Sequence, residues 1–451
     1  MDSFRRGPGG GQAATLTPAH NGPRGGVEEG PSSGLSGELQ RLDLDGARLV
    51  VLVPDGTRSI PLGRLFAEVH DALIGRVASL DVLIALGTHQ PMPPDAIERR
   101  FDLPPGGWAA RYPGVAVHNH AWHDPATFTD LGEIPATEVA AASAGLLAEP
   151  IRVRVNRLVA EADACLVLGP VFPHESVGFS GGDKYFFPGV SGPEVIDAFH
   201  WLGALIGTMD IIGKPGLTPV RAVIQAAAER IPARRLAVAV VVAPAGSSAP
   251  SSSPPGSSPL GPEVLGPEVL GTYVGTTTEA WAAAAEHSAR VHVRYVERPY
   301  RRVVSVVPPM YDDLWTAAKG MYKVEPVVAD GGEVIVYAPH VTTFSVTHDA
   351  MIRRVGYHCR DYLLAHAGEL AEVPRTVLAH SIHARGAGTY TDGVERCRIA
   401  VTLATAIPPE DCAAVNLGWA DPATLDLAAL AADEDTLVVP KAGEQLYRLA
   451  P

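Results

Sequence analysis

Three short runs of β-branched and aliphatic residues, each ending in a glycine-containing turn, constrain this chain more than any other feature. Residues 48–54 read Arg-Leu-Val-Val-Leu-Val-Pro and run into Asp55-Gly56-Thr57-Arg58. Residues 81–86 run into Gly87-Thr88-His89-Gln90-Pro91, and Cys165-Leu166-Val167-Leu168 is followed at once by Gly169. Runs this short and this continuously apolar suit strands covered on both faces, as in parallel sheets. Between the first two, residues 62–77 place Leu62, Leu65, Phe66, Val69 and Leu73 on one helical face. Residues 153–162 also read as helical. This alternation of strand, loop and helix predicts an α/β fold with a largely parallel sheet. In such sheets ligands gather at the loops beyond the carboxyl ends of the strands, and all three glycine loops follow strands in that way.

The chain of 451 residues is long enough for two or three domains. Residues 1–37 are rich in Gly, Pro and Ser and poor in large apolar side chains, so burial cannot offset chain entropy there; a disordered tail is expected, with order from about Leu39. Residues 38–290 form the larger N-terminal domain. Within it, residues 244–270 are a Pro/Gly/Ser insertion with the imperfect repeat GPEVLGPEVL, read as a mobile surface loop. The run 236–244 fits one buried strand, and residues 279–289 a helix. Residues 291–451 form a second α/β domain, with strands expected at 303–307, 333–337, 398–403 and 436–439. The two domains would flank a cleft.

The net charge of −14 gives no general attraction for nucleic acid or anionic membrane, so an anionic substrate must be held by local cations. Cys165, Cys359, Cys397 and Cys412 are scattered without a CxxC pair, which argues against a disulfide framework or a structural zinc site and fits reduced thiols. The N-terminus lacks the apolar core of a signal peptide, and no run is long enough to span a bilayer. A cytoplasmic protein without nucleic-acid or membrane partners is expected.

Residues 169–200 are the densest in chemistry: His174, then Gly178-Phe179-Ser180-Gly181-Gly182, Lys184, Pro188-Gly189, and a helix start at Ser191-Gly192-Pro193-Glu194 that carries His200. Gly181 and Gly182 lack a Cβ and let backbone approach a flat ligand closely. Pro193 suits a first helical turn, whose free N–H groups can receive an anion. Lys184, if desolvated, can serve as a nucleophile or covalent anchor. Taken alone, a Gly/Pro-rich loop before a helix is common and a single lysine in it is usually solvated. Neither a Walker motif nor GxGxxG is present, which disfavours nucleotide binding by those routes.

The segment resembles the cofactor-binding stretch of the LarA-type nickel-pincer lactate racemases: a histidine, GFSGG, a lysine, PG, and a second histidine on the following helix. Asp55-Gly56-Thr57-Arg58, Gly87-Thr88-His89-Gln90-Pro91 and Ala318-Lys319-Gly320-Met321 resemble that family as well, so the likeness covers roughly residues 45–325. It implies a racemase or epimerase of a 2-hydroxy acid, lactate or a related 2-hydroxy-carboxylate. It also implies a nickel-pincer nucleotide, nickel pyridinium-3-thioamide-5-thiocarboxylic acid mononucleotide, supplied by separate maturation enzymes of the host. By the same resemblance Lys184 is joined to the cofactor, and His200 is the ligand that completes a planar nickel site. His89 and His174 are the acid/base pair, and Arg58 and Lys319 are cations for substrate and cofactor. Asp55, Thr57, Gly181 and Gly182 would line the cofactor, and Trp315 and Thr316 the substrate.

The chemistry fits that assignment. Hydrogen on C2 of a hydroxy-carboxylate is poorly acidic beside an existing negative charge. Its departure as hydride is eased when the hydroxyl proton leaves with it, which needs a hydride-accepting cofactor. The planar 2-oxo acid can then receive hydride on its other face. Each enantiomer needs its own base, a role that suits histidine near neutrality. A cation such as Arg58 or Lys319 would hold the carboxylate.

Three departures from the lactate racemase pattern alter the expected pocket. Gly56 stands where a histidine is usual, Gln90 where arginine is frequent, and Trp315-Thr316 where the family has YQ. A different 2-hydroxy acid, or epimerisation of a sugar acid, is therefore in view. His118, His120 and His123 cluster in sequence, but a solvated loop is the simpler reading. His340, His348, His358, His380 and His383 lie in the second domain, where spacing alone assigns them no role. Two other classes compete. A metal-dependent hydrolase would need a compact ligand set, and HExxH is absent. A non-enzymatic nickel or cofactor carrier would need Lys184 and His200 but neither His89 nor His174.

Overall fold

The computed structural model describes residues 34–244 and 266–451. The disordered tail expected over 1–37 and the loop expected over 244–270 fall largely outside these residues. Where they overlap, a helix already runs over Leu35–Gln40, and a strand begins at Val269.

The first sheet has six strands: β1 Arg48–Pro54, β2 Ser79–Ala85, β3 Ala116–Asn119, β4 Ala164–Pro170, β5 Arg234–Val242 and β6 Val269–Thr276. Their spatial order is β6-β5-β4-β1-β2-β3. All neighbours are parallel except β6, which pairs antiparallel with β5. The four inner strands, β1, β2, β4 and β5, are largely buried on both faces. The edge strands β3 and β6 are partly exposed, and the two-residue period divides the inner runs between two cores. Val50 and Leu52 of β1, with Cys165 and Val167 of β4, point into one cluster. Leu49, Val51, Val53, Leu166 and Leu168 point into the other, which the apolar face of helix α1, Leu62–Leu73, completes. That helix stops short of the expected residue 77 because its cap, Ile74, is extended and Gly75 has a φ of +82°.

Helices α2 Pro193–Ile206, α3 Pro219–Ala228 and α4 Thr277–His292 follow. Residues 153–162 are not one helix. Ile151–Asn156 is a strand paired antiparallel with Phe128–Ile134, and only Arg157–Glu161 is helical. The alternation of Ile151, Val153 and Val155, all buried, is a strand period that helical propensity alone does not reveal.

The second sheet consists of β7 Tyr300–Val306, β8 Val328–Ala338, β9 Ala400–Thr405, β10 Gly418–Trp419 and β11 Thr436–Val439, ordered β10-β9-β8-β7-β11 and parallel throughout. Helix α5, Arg375–Arg385, packs against α2 of the first half. A parallel pair, Val293–Val296 with Leu446–Leu449, closes the molecule. Among the described residues no helix is long and apolar enough to cross a membrane.

Candidate active site

Three loops at the carboxyl ends of adjacent parallel strands meet in one cleft. Pro54 and Ala85 lie opposite each other at the ends of β1 and β2, so Asp55–Arg58 and Leu86–His89 emerge side by side. The loop after β4 carries His174, Gly181 and Lys184 to the same place, and α2 brings His200. From the second half come Trp315, Thr316 and Lys319. Of the residues that the resemblance places at the site, Gly182 alone does not line the cleft. It has a φ of +60°, and a Cβ there would stand 2.9 Å from Trp281 Cβ, so the missing side chain lets the loop pack on α4.

The anchor loop is held from behind by buried donors. Arg221 is fully buried, donates to the carbonyls of Phe179 at 2.5 Å and Gly181 at 3.4 Å, and stacks 3.6 Å over the Trp281 ring. Trp281 Nε1 donates to the intervening Ser180 carbonyl at 3.0 Å. Asp183 receives Arg235 at 2.7 Å and the Thr277 hydroxyl at 2.6 Å. Successive carbonyls of this loop therefore have buried partners.

Each candidate histidine has a defined environment. His89 Nδ1 lies 2.5 Å from Asp55 Oδ2, and Asp55 Oδ1 accepts the N–H and hydroxyl of Thr57 at 3.0 and 2.7 Å. Burial pushes the Asp55 carboxyl up, but His89, Thr57 and Arg58 outweigh it and hold the group well below the usual range. With Nδ1–H donated to Asp55, the lone pair of His89 sits on Nε2. His200 Nδ1 donates to the Ile196 carbonyl at 2.8 Å, which again leaves Nε2 bare. Burial and the Lys184 charge bring that imidazole down to about 4. His174 differs: its Nδ1 accepts the Ser176 N–H at 3.2 Å and lies 3.1 Å from Glu175 Oε2. Burial and the charges of Lys184 and Arg58 push His174 well below the ordinary histidine value.

The cations crowd one another. Burial and the Arg58 guanidinium lower Lys184 to about 8 and Lys319 to about 7, and Lys323, just behind, to about 7. Among the described residues neither Lys184 nor Arg58 forms an ion pair; Arg58 donates to its neighbouring Thr57 carbonyl, and Lys319 Nζ sits 4.5 Å from the Tyr311 ring centroid. A set of neighbouring cations, Lys319 and Lys323 buried and Arg58 and Lys184 half-buried, in a chain of net charge −14 suits a small anion. The hydroxyl of Thr316 is taken by Asp313 Oδ1 at 2.8 Å, and the Trp315 ring is flanked by His348 at 4.6 Å and His380 at 4.2 Å.

Sequence reasoning missed several members of this wall. Glu175, Tyr185 and Tyr322 line the cleft, as do His380 and His383 of α5. The spacing of His380 and His383 puts them one turn apart on the same helical face, a signal that needs the helix itself to be recognised. His383 bridges the Ser176 hydroxyl at 3.3 Å and the Thr208 hydroxyl at 2.6 Å. His118, His120 and His123 have local partners instead: His118 lies 3.3 Å from Asp81, His120 is buried between Asn156 and the Ser191 carbonyl, and His123 packs edge-on to Trp122. Among the described residues no group of three or more His, Cys, Asp or Glu is placed to hold a metal ion.

Comparison with known proteins places this architecture. Residues 35–208 match the family described as lactate racemase N-terminal domain. The lactate racemase of Thermoanaerobacterium thermosaccharolyticum is 27% identical over 168 residues, which are 36% of this chain and 34% of that relative. The sequence match thus spans about a third of the curated relative. A crystal structure of a protein from Thermotoga maritima superposes with a TM-score of 0.81 at 33% identity, covering 92% of this chain and 97% of the other. The lactate racemase apoprotein of T. thermosaccharolyticum superposes with a TM-score of 0.64 at 17% identity, over 94% and 91% of the two chains, a likeness of fold.

Proposed function

We propose that this chain, whose residues 35–208 match the lactate racemase N-terminal domain family, is an isomerase that inverts C2 of a 2-hydroxy acid, lactate or a related 2-hydroxy-carboxylate, with a nickel-pincer nucleotide attached at Lys184. The observation that carries this reading is a single cleft in which His89 backed by Asp55, His174, Lys184 and a His200 with bare Nε2 all meet.

These residues suit such a group. Lys184, lowered to about 8, presents an appreciable fraction of free amine near neutral pH, as covalent attachment requires. His200 offers one nitrogen lone pair, held in orientation by the Ile196 carbonyl, and would supply a single donor to a metal carried by the cofactor. When bound, the pincer nucleotide supplies the hydride acceptor that inversion at C2 needs.

The chain's own part is to orient the substrate and move protons. Arg58 and Lys319 hold the carboxylate, and their mutual repulsion is relieved by its charge. His89 Nε2 takes the hydroxyl proton of one enantiomer, and Asp55 stabilises the imidazolium that results. His174 serves the mirror image. With the Thr316 hydroxyl engaged by Asp313, Trp315 and His380 shape one wall of the cleft.

Protein from a host that makes the cofactor tests this reading. Peptide mapping is expected to find the added mass on Lys184, and a screen over lactate, larger aliphatic and aromatic homologues, malate and aldonic acids to find inversion at C2. An adduct on Lys214 or Lys323 overturns the anchor. Zinc without any Lys184 adduct, together with no inversion in the screen, favours a hydrolase.

A further inference from the structure

We propose that Glu175 is the positioning residue for His174, receiving its Nδ1 proton as Asp55 receives that of His89 and so freeing Nε2 to accept a proton from substrate. The inference rests on the reading of His174 as a proton carrier.

The two imidazoles are matched in one respect. Each has a carboxylate oxygen near Nδ1: Asp55 Oδ2 in a 2.5 Å hydrogen bond with His89, and Glu175 Oε2 3.1 Å from His174, a charge contact rather than an aligned hydrogen bond. Glu175 is no surface acid. Its side chain is 15% exposed, and it lines both the cleft and the smaller cavity behind it. Tyr322 lines both cavities beside it. Burial raises its carboxyl, but His383, its own backbone N–H, Lys184 and Lys319 outweigh burial and keep it ionised.

His174 is matched differently in another respect, because the Ser176 N–H competes for the same Nδ1 at 3.2 Å. The two partners demand opposite tautomers. If Nδ1 accepts from Ser176, the neutral ring carries its proton on Nε2 and cannot act there as a base. If Nδ1 keeps its proton and donates to Glu175, Nε2 carries the lone pair. A hydrogen bond to a carboxylate is roughly twice as strong as one between neutral groups, which favours ionised Glu175 over the backbone amide once Nδ1 carries the proton, although the bond aligned in the structure is that from Ser176. In the step this permits, the substrate O–H bond breaks as Nε2–H forms. The ring becomes an imidazolium with Nδ1–H still on Glu175, and the same proton returns on reversal. Replacing the carboxylate by an amide hands Nδ1 to Ser176 and locks the ring in the other tautomer.

Two measurements test this. The first uses the chain without cofactor, labelled with ¹⁵N-histidine, the His174 ring signals being identified by their loss in His174→Gln. The wild type is expected to show a protonated Nδ1 and a bare Nε2, and Glu175→Gln the reverse; Glu175→Ala serves if the Gln variant does not fold. The same tautomer in wild type and variant overturns the proposal. The second uses holoenzyme and single-turnover reaction of D- and L-lactate separately, since an equilibrium constant of one ties the two steady-state kcat/KM values together. Glu175→Gln is expected to slow one enantiomer by about a hundredfold, the lower end of what positioned proton transfer contributes, with substrate affinity unchanged and the mirror image little affected. Equal losses for both enantiomers mean a merely structural role and overturn it. If wild-type holoenzyme turns over neither enantiomer, lactate fails as the substrate, and the ring spectra still decide the role of Glu175.

Discussion

Asp55 holds the His89 ring through a carboxylate that is itself fixed, one oxygen 2.5 Å from Nδ1 and the other accepting both the N–H and the hydroxyl of Thr57. The imidazole can neither rotate nor exchange tautomer without breaking its bond to Asp55. Asp55→Asn preserves shape but offers an N–H to Nδ1, which moves the proton to Nε2. The expected result is a loss of about a hundredfold or more in proton-transfer-limited turnover, with unaltered circular dichroism. Single-turnover rates for each enantiomer check it; a change under threefold contradicts the role given to His89.

The crowded lysines make the stability of the cofactor-free chain depend on pH in a specific direction. Lys319 and Lys323 are lowered from 10.5 to about 7 by burial and by Arg58. Between about pH 7 and pH 10 the unfolded chain therefore binds more protons than the folded one, and stability rises with pH. The melting temperature is expected to climb from pH 7 to pH 9, and Lys323→Met to flatten that climb. A melting curve that falls steadily over this range shows that the lysines stay charged when folded.

Arg221 satisfies the Phe179 and Gly181 carbonyls from a fully buried position. Arg221→Met removes the donor and leaves the carbonyls without it, at a cost of roughly 1–3 kcal/mol. A drop in denaturation midpoint of that size is expected, together with slower attachment of cofactor at Lys184, three residues beyond Gly181. An unchanged midpoint means that water replaces the guanidinium.

His200 contributes to the core only through its place on α2, and its outward nitrogen makes no hydrogen bond among the described residues. His200→Ala is expected to lower nickel content in protein from a cofactor-producing host while the cofactor-free melting temperature shifts little. Stoichiometric nickel with full activity in the variant removes His200 from the metal site.

Much of this architecture is legible from local pattern. The run 48–54 and the run 436–439 are strands with those same bounds, because continuous β-branched segments bordered by turn residues have few other ways to satisfy their backbone. The loops carrying Asp55, His89 and Lys184 follow from the rule for parallel sheets, and those residues do meet. What stays hidden depends on pairing between distant segments. Residues 151–156 become a strand because 128–134 lies beside them. His380 and His383 reach the cleft because α5 packs on α2, from nearly two hundred positions away in the chain. Glu175 is adjacent to His174 in sequence, yet only side-chain geometry shows that it faces that ring.

The segment around Glu444–Leu449 touches both halves of the molecule. Glu444 Oε1 accepts the backbone N–H of Ser59, 385 positions earlier and next to Arg58, while its carbonyl accepts Lys323. Leu446–Leu449 pairs with Val293–Val296, and Arg448 reaches the Ile212 carbonyl. During synthesis, then, the N-terminal sheet can condense on the ribosome well before Arg58 acquires its final neighbours. The Arg58 turn gains its Glu444 contact late, only after residue 444 has left the exit tunnel, and a nascent chain arrested before that point would hold His89 and Lys184 without the clasp on the Ser59 amide. Closing so long a loop adds little extra entropy cost beyond a shorter one, so the delay is one of timing rather than of final stability.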